Sequence, residues 1–278
     1  MMQLYNKTCM ECSKLITNRY STSFSLGIRV FDKKIQTPIY AIYGFVRFAD
    51  EIVDTFHDKP KARLLEEFKQ ETYKAIEDRI SLNPVLHSFQ QVVHEYNIEH
   101  ELIDAFLKSM AMDLHFNTYD DSKYKEYIYG SAEVIGLMCL RVFCKGNEEE
   151  YQRLKAPACS LGSAFQKINF LRDIKSDFDE RGRVYFPGID YTQFNQEQKD
   201  EIEADIKQDF DDAYKGIVKL PHGARFGVYL AYRYYTKLFD KIKRSPVHLV
   251  KEERIRVKDS QKMYYLFTGA IRTRLNML

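Results

Sequence analysis

Residues that interrupt helices are scarce along this chain, which has 12 glycines and 7 prolines among 278 residues. Glycine and proline are the residues that α-helices tolerate least, so a chain poor in both favours long helices over a turn-rich sheet. Apolar residues also recur at helical spacing through most of the sequence. The segments predicted to be helical are 7–20, 38–56, 60–80, 84–96, 99–116, 123–145, 147–179, 196–219, 221–243 and 252–276.

The boundaries of two of these segments can be predicted from local signals. Thr37 is the expected N-cap of the second helix, with Pro38 at its first helical position. Gly182, Pro187 and Gly188 interrupt the helical pattern after residue 179, and we expect a mobile flap there. No repeat or long linker divides the chain. We therefore predict one all-α domain that spans residues 1–278.

Composition and charge exclude several classes of protein. A chain with 45% hydrophobic and 29% charged residues is expected to fold. Its net charge of +2 is far from the basic excess of nucleic-acid-binding proteins, so we expect no nucleic-acid partner. Cys9 and Cys12 lack a second pair of metal ligands, so free thiols are expected. With no signal-peptide run and no stretch near ~20 apolar residues, we expect a cytoplasmic location.

Two stretches place acidic residues within otherwise apolar helices. Asp50 and Asp54 are four positions apart in "FADEIVD", and Asn169, Asp173 and Asp177 repeat this spacing in "NFLRDIKSD". Residues four apart lie on one face of a helix, about one turn from each other. Each stretch therefore presents a stripe of polar groups along one side.

Such stripes are costly inside a helical bundle unless a cation compensates them. Buried like charges repel one another and lose their hydration. Carboxylate oxygens at this spacing suit Mg²⁺, which a protein often shares with substrate phosphates. Arg47 and Arg172 lie close to the stripes and could donate charge-assisted hydrogen bonds to a diphosphate. Spacing alone thus indicates a metal–diphosphate site, with solvated helix faces as the alternative.

Four stretches of the sequence, in this order, resemble the squalene/phytoene synthase family. They are "YSTSFSLG", "AIYGFVRFADEIVD", "YIYGSAEVIGLM" and "FQKINFLRDIKSDFDERGRVYFP". The resemblance implies an isoprenoid synthase fold, in which a single-domain helical bundle surrounds a large central cavity. It also implies head-to-head condensation of two prenyl diphosphates through a cyclopropyl diphosphate intermediate.

The resemblance assigns a role to each matching residue. It implies that Mg²⁺, in two or three ions that Mn²⁺ could replace, is bound by Asp50, Asp54, Asn169, Asp173 and Asp177. The catalytic residues that it implies are Tyr43, Arg47, Asp50, Asp54, Arg172, Asp173 and Asp177. The residues expected to bind the substrates are Ser21, Ser23, Arg47, Tyr127, Gly136, Gln166, Asn169, Arg172, Arg181 and Tyr185.

The favoured reaction within the family joins two geranylgeranyl diphosphates to give phytoene, for carotenoid biosynthesis. The short chain lacks a C-terminal anchor helix, and the absence of a GxGxxG motif indicates that NADPH is not required. The alternative is a squalene or dehydrosqualene synthase that uses two farnesyl diphosphates. A non-catalytic assembly subunit is expected to have lost one acid pair, and both pairs are present.

Three features leave questions open. Glu51 replaces an aspartate that is frequent in the family, and Glu133 replaces a small residue, so the roles of both are open. The segment "KEERIRVKDSQKMYYLFTGAIRTRL" is basic and partly amphipathic. It is either a solvated last helix or a contact with the inner face of the membrane, where greasy substrates would be received and released.

Overall fold

The computed structural model describes residues 1–252 and 254–256, apart from the side chains of residues 22 and 23. Within these residues the chain is helical, with one isolated β-bridge, between Thr118 and Val184. The all-α prediction is therefore confirmed. The helices are α1 (Met2–Tyr20), α2 (Thr22–Arg29), α3 (Lys33–Asp54), α4 (Lys61–Asp78), α5 (Pro84–Tyr96), α6 (His100–His115), α7 (Asp121–Ile128), α8 (Val134–Cys144), α9 (Glu148–Arg181), α10 (Gln196–Ile217), α11 (His222–Arg244) and α12 (Val247–Glu252).

Aromatic side chains form the centre of the first half of the bundle. Phe45, in the middle of α3, is fully buried and stacks on Phe89 of α5 with 4.0 Å between ring centroids. Phe68 and Phe106 pack around the same ring, with centroids 5.6 and 5.3 Å away. Burial of such rings is the main favourable term in folding. This cluster fixes α3, and with it the first acid pair.

A second apolar cluster surrounds the C-terminal half of α9. Phe170 of α9 stacks on Tyr185 with 4.2 Å between centroids, and Phe186 packs against the edge of the same phenylalanine. Helices α10 and α11 complete this cluster through Phe210 and Phe239. The second acid pair is thus carried by a helix that is packed on several sides.

Helices α7 and α8 are joined by a π-helical turn, Tyr129–Glu133, rather than forming the single α-helix predicted over 123–145. A Cβ atom at Gly130 would lie 2.3 Å from the carbonyl oxygen of Ala105, so only glycine allows this approach to α6. By length and composition, the run Asp121–Cys144 could cross a membrane, which corrects the expectation that no such stretch exists. In the structure 67% of its apolar window is buried among the other helices.

Two boundary predictions were wrong and one was confirmed. Helix α3 begins at Lys33 with Asp32 as its N-cap, so Thr37 is not the cap and Pro38 lies inside the helix. The extra turn carries Ile35 into the core, which compensates for the hydrogen bond lost at proline. Helix α9 ends at Arg181, two residues beyond the predicted end at 179, and the predicted break at Gly182 is confirmed because this glycine adopts a left-handed φ of 65°.

Candidate active site

The two acid pairs face each other between the last turn of α3 and the C-terminal part of α9. The guanidinium group of Arg181 joins them. Its Nη1 lies 2.8 Å from Oδ1 of Asp177, and its Nε lies 3.7 Å from Oδ1 of Asp54. One side chain therefore spans the gap between a residue of the first pair and a residue of the second.

The other two aspartates also contact arginines. Nη1 of Arg47 lies 3.6 Å from Oδ2 of Asp50, and Nε of Arg172 donates a hydrogen bond to Oδ1 of Asp173 at 3.0 Å. Asp173 is also contacted from the C-terminal side by Arg254, at 2.7 Å. Each predicted metal-binding aspartate thus has a cation beside it.

Burial has a strong electrostatic effect on these acids. It raises the pKa of Asp50 to about 7, against the opposing charge of Arg47. It raises the pKa of Asp177 to about 7 as well, against the opposing charge of Arg181. A carboxyl group with such a pKa favours a state in which either a proton or a cation neutralises it.

The donor set fits a hard divalent cation. Carboxylate oxygens from facing helices are the ligands that Mg²⁺ prefers, and the guanidinium of Arg181 already stands between them as a cation. Among the described residues, no three acidic, histidine or cysteine side chains converge into a ready-made metal site. Asn169 is close to the acids and accepts a hydrogen bond from Tyr235 at 3.3 Å.

A cavity of about 420 Å³ begins beside the acid pairs and extends between α2, α3, α8, α9, α10 and α11. Arg172 lines it and also binds Asp173, so the cavity and the second acid pair share a boundary. Farther in, the lining is apolar and includes Phe31, Phe143 and Leu220. Its polar end can therefore hold a charged group while its depth holds a hydrocarbon chain.

Six of the predicted site residues line this cavity. They are Ser21, Tyr43, Gly136, Gln166, Asn169 and Arg172. Tyr43 stacks on Phe24 with 4.6 Å between ring centroids, and burial raises the pKa of its hydroxyl to about 12. This hydroxyl is therefore protonated and able to donate a hydrogen bond. Ser23 lies in α2, but its side chain is outside the described part of the structure.

Tyr127 and Tyr185 are not among the residues that line the cavity. Their hydroxyl groups instead donate to the carboxylate of Asp113, at 2.8 and 3.1 Å. Arg183 lies beside them and reaches Asp54, with 3.2 Å between Nη1 and Oδ1. Sequence reasoning missed Asp113 and Arg183. A lone acid in the apolar run "MAMDLH" and a second arginine after Arg181 were the available signals.

The two open glutamates each have a partner. Glu51 receives a short hydrogen bond from Arg47, so it helps to orient that arginine beside Asp50. Glu133 ends the π-turn, where burial raises its pKa and the neighbouring thiol of Cys159 opposes that rise. Neither glutamate lines the cavity.

Comparisons with known proteins agree with this fold and motif order. Residues 17–261 match the family model of squalene/phytoene synthases. A phytoene synthase from Cereibacter sphaeroides is 27% identical over an alignment of 282 positions, gaps included, that covers 92% of this chain and 78% of that protein. A 4,4'-diapophytoene synthase from Staphylococcus haemolyticus is 26% identical over an alignment of 215 positions, gaps included, that covers 75% of this chain and 72% of that protein.

Solved structures share the same architecture. The structure of a dehydrosqualene synthase in complex with a ligand has a TM-score of 0.82 to this chain and covers 98% of both chains at 19% identity. At that identity the likeness establishes the fold, whereas the family match spans most of the sequence. The chain belongs to the squalene/phytoene synthase family of prenyltransferases.

Proposed function

We propose that this enzyme condenses two geranylgeranyl diphosphates head to head, through a cyclopropyl diphosphate, to give phytoene. The observation that carries the proposal is the pair of facing acid stripes beside an apolar cavity. Arg172 connects them, because it lines the cavity and also binds Asp173 of the second stripe. A diphosphate beside the acids would place its prenyl chain in the cavity. The relative from Cereibacter sphaeroides, which aligns over most of this chain, is named as a phytoene synthase.

Asp50, Asp54, Asn169, Asp173 and Asp177 would hold two or three Mg²⁺ ions, which Mn²⁺ could replace. When bound, the metal supplies positive charge that neutralises the departing diphosphate. The carboxyl groups of Asp50 and Asp177 favour this cation because burial makes their isolated charges costly.

The arginines beside the acids can bind phosphate oxygens. Nε of Arg47 is buried without a hydrogen-bond partner in the described structure, so it has a donor to offer. Arg172 and Gln166 both line the cavity. Charge-assisted hydrogen bonds from guanidinium groups to phosphate oxygens are among the strongest in proteins.

The apolar part of the cavity protects the carbocations formed in the reaction. Water would trap such a cation as an alcohol, so the lining has to exclude it. Phe24 and Tyr43 are stacked in the wall of the cavity, and the faces of aromatic rings attract cations. The protonated hydroxyl of Tyr43 is the polar group that we assign to the region of the reacting carbons.

The alternative substrate is farnesyl diphosphate, which would give dehydrosqualene or squalene. The relative from Staphylococcus haemolyticus is named as a diapophytoene synthase, and its alignment covers about three quarters of this chain. We favour the longer substrate because the relative that covers more of this chain is a phytoene synthase. We also propose a cytoplasmic location with peripheral contact at the inner face of the membrane.

The test is incubation of the purified protein with Mg²⁺ and either geranylgeranyl or farnesyl diphosphate, with and without NADPH. We expect phytoene from geranylgeranyl diphosphate without NADPH. A C30 product from farnesyl diphosphate alone would reassign the chain length, and a product that requires NADPH would reassign the final step. No product from either substrate would contradict the enzymatic proposal and favour a non-catalytic assembly subunit.

A further inference from the structure

A buried carboxylate outside both acid pairs gathers four polar groups from distant parts of the chain. Asp113 lies near the end of α6 and is 9% exposed. Its Oδ2 accepts a hydrogen bond from Tyr127 at 2.8 Å, and its Oδ1 accepts from Tyr185 at 3.1 Å and from Tyr119 at 3.2 Å. Nη1 of Arg183 lies 3.6 Å from the same Oδ1.

A buried charge network of this kind is weak evidence for a role in stability. Replacement of buried charge networks by apolar residues of similar size is often neutral or stabilising. The hydroxyl groups come from three separate rings that already pack against one another, with centroids 5.0 to 5.2 Å apart. Their convergence on one carboxylate instead fixes the direction in which each side chain points.

Two of the four groups belong to the segment that follows the second acid pair. This segment, residues 182–187, leaves α9 through the left-handed Gly182, and the N–H of Arg183 donates to the carbonyl of Asp177 at 2.8 Å. The N–H of Val184 donates to the carbonyl of Asn117 at 2.8 Å. The segment thus lies against the loop after α6, which is the helix that carries Asp113.

Arg183 connects this segment to the first acid pair. Its side chain is only 7% exposed, and its Nη2 donates to the backbone carbonyl of Asp113 at 2.9 Å. Its Nη1 lies 3.2 Å from Asp54 and 3.3 Å from the hydroxyl of Tyr185. The guanidinium is therefore held between an aspartate at the end of α3 and an aspartate at the end of α6.

We propose that Asp113 is a positioning residue that fixes Arg183 and Tyr185, so that segment 182–187 holds the end of α9 at a set distance from Asp54. This proposal rests on the proposed function in one respect: the spacing matters because the acid pairs of α3 and α9 bind one metal–diphosphate unit. Asp113 itself does not line the cavity, so it acts through its partners.

The main test is the Asp113→Asn variant, which keeps the size of the side chain and removes its charge. The first measurement is the rate of trypsin cleavage after Arg181 and Arg183 in the substrate-free and metal-free protein. We expect cleavage about tenfold faster than in the unmodified protein, since the loss of one charge-assisted contact of about 1.4 kcal/mol raises the opened population tenfold. The cleavage rate is proportional to that population when the segment opens and closes faster than trypsin cleaves it.

The second measurement separates positioning from general damage. In the turnover assay, we expect the Mg²⁺ concentration for half-maximal rate to rise about tenfold while kcat falls by less, because the acid pairs are misplaced but present. The matched control is Asp209→Asn, which removes one of the two acidic partners of Lys167, 2.8 Å away between α9 and α10, and leaves the other, Asp205, in place. The control should leave both measurements within about twofold of the unmodified protein, because Lys167 keeps its ion pair with Asp205.

Tyr119→Phe provides a milder variant in case Asp113→Asn does not fold. It removes one hydroxyl donor to Asp113 and leaves the ring in place. We expect about threefold faster cleavage in the same segment. Unchanged cleavage in both variants, or equal acceleration in Asp209→Asn, would overturn the proposal. The cleavage assay needs no substrate, so failure of the unmodified protein to form any prenyl product would count against the proposed function alone.

Discussion

Lowering the pH from 8 to 6 should weaken metal binding by the substrate-free protein about 100-fold. Burial raises the pKa of both Asp50 and Asp177 to about 7. Each carboxyl group is then about nine-tenths ionised at pH 8 and about one-tenth ionised at pH 6. The fraction of protein in which both carboxyl groups are charged is therefore about 100-fold lower at pH 6. If metal binding needs both charges, this corresponds to about 2.7 kcal/mol of binding free energy.

The direction of this effect follows from competition between protons and metal. A protonated carboxyl group is a poor metal ligand, so metal binding releases protons and strengthens as the pH rises. Carboxyl groups with an ordinary pKa near 4 would be ionised at both pH values, and the affinity would then be almost constant. A strong dependence of metal affinity on pH would therefore indicate that burial raises the pKa of these two side chains.

The assay is a titration with Mn²⁺, in which the electron paramagnetic resonance signal of the free ion measures binding, and Mg²⁺ serves as the competitor. The matched control is the double variant Asp50→Asn, Asp177→Asn, whose residual affinity should change little between pH 6 and pH 8. A change of less than about threefold in the affinity of the unmodified protein would refute the reasoning.

The remaining predictions concern activity and stability. Asp50→Asn and Asp173→Asn should each abolish turnover and leave the circular dichroism spectrum unchanged, and normal activity in either would remove that residue from the proposed metal site. Gly130→Ala should lower the melting temperature, because its Cβ would lie 2.3 Å from a carbonyl oxygen of α6; an unchanged value would show that α6 can shift. Lys199→Met should destabilise the fold by about 3–5 kcal/mol in denaturant titrations, since Glu203 is left buried without its cation. Adding Glu203→Leu should recover most of that loss.

The parts of the fold that can be predicted from the sequence are those whose signals lie within a single helix. Long helices such as α10 show an apolar stripe and a capping box at Asn195, and both are signals within a few residues of each other. Helix α2 was missed because it has only eight residues, with Ser21 as its N-cap. A helix that short is marginal alone, and here contacts with α11 and α3 stabilise it.

The acid pairs were predictable for the same reason, whereas their surroundings were not. Asp50 and Asp54 share a helical face by spacing alone. The partners of Asp113 lie between 6 and 72 positions away along the chain, and no spacing rule relates them. Tyr127 and Tyr185 were therefore expected in the site but not at this carboxylate. Their substrate-binding role stays a prediction.

The arginines explain how the acid stripes are tolerated inside the bundle. Arg181 links the two stripes, Arg47 contacts Asp50 and Glu51 on its own helix, and Arg172 binds the adjacent Asp173. Each guanidinium lies on a long side chain that can change partner without moving its helix. A divalent cation at the carboxylates would release these arginines, and the released groups are the donors that a diphosphate needs. The same set of charges can therefore neutralise the acid stripes and bind the substrate, which explains why like charges are kept buried on facing helices.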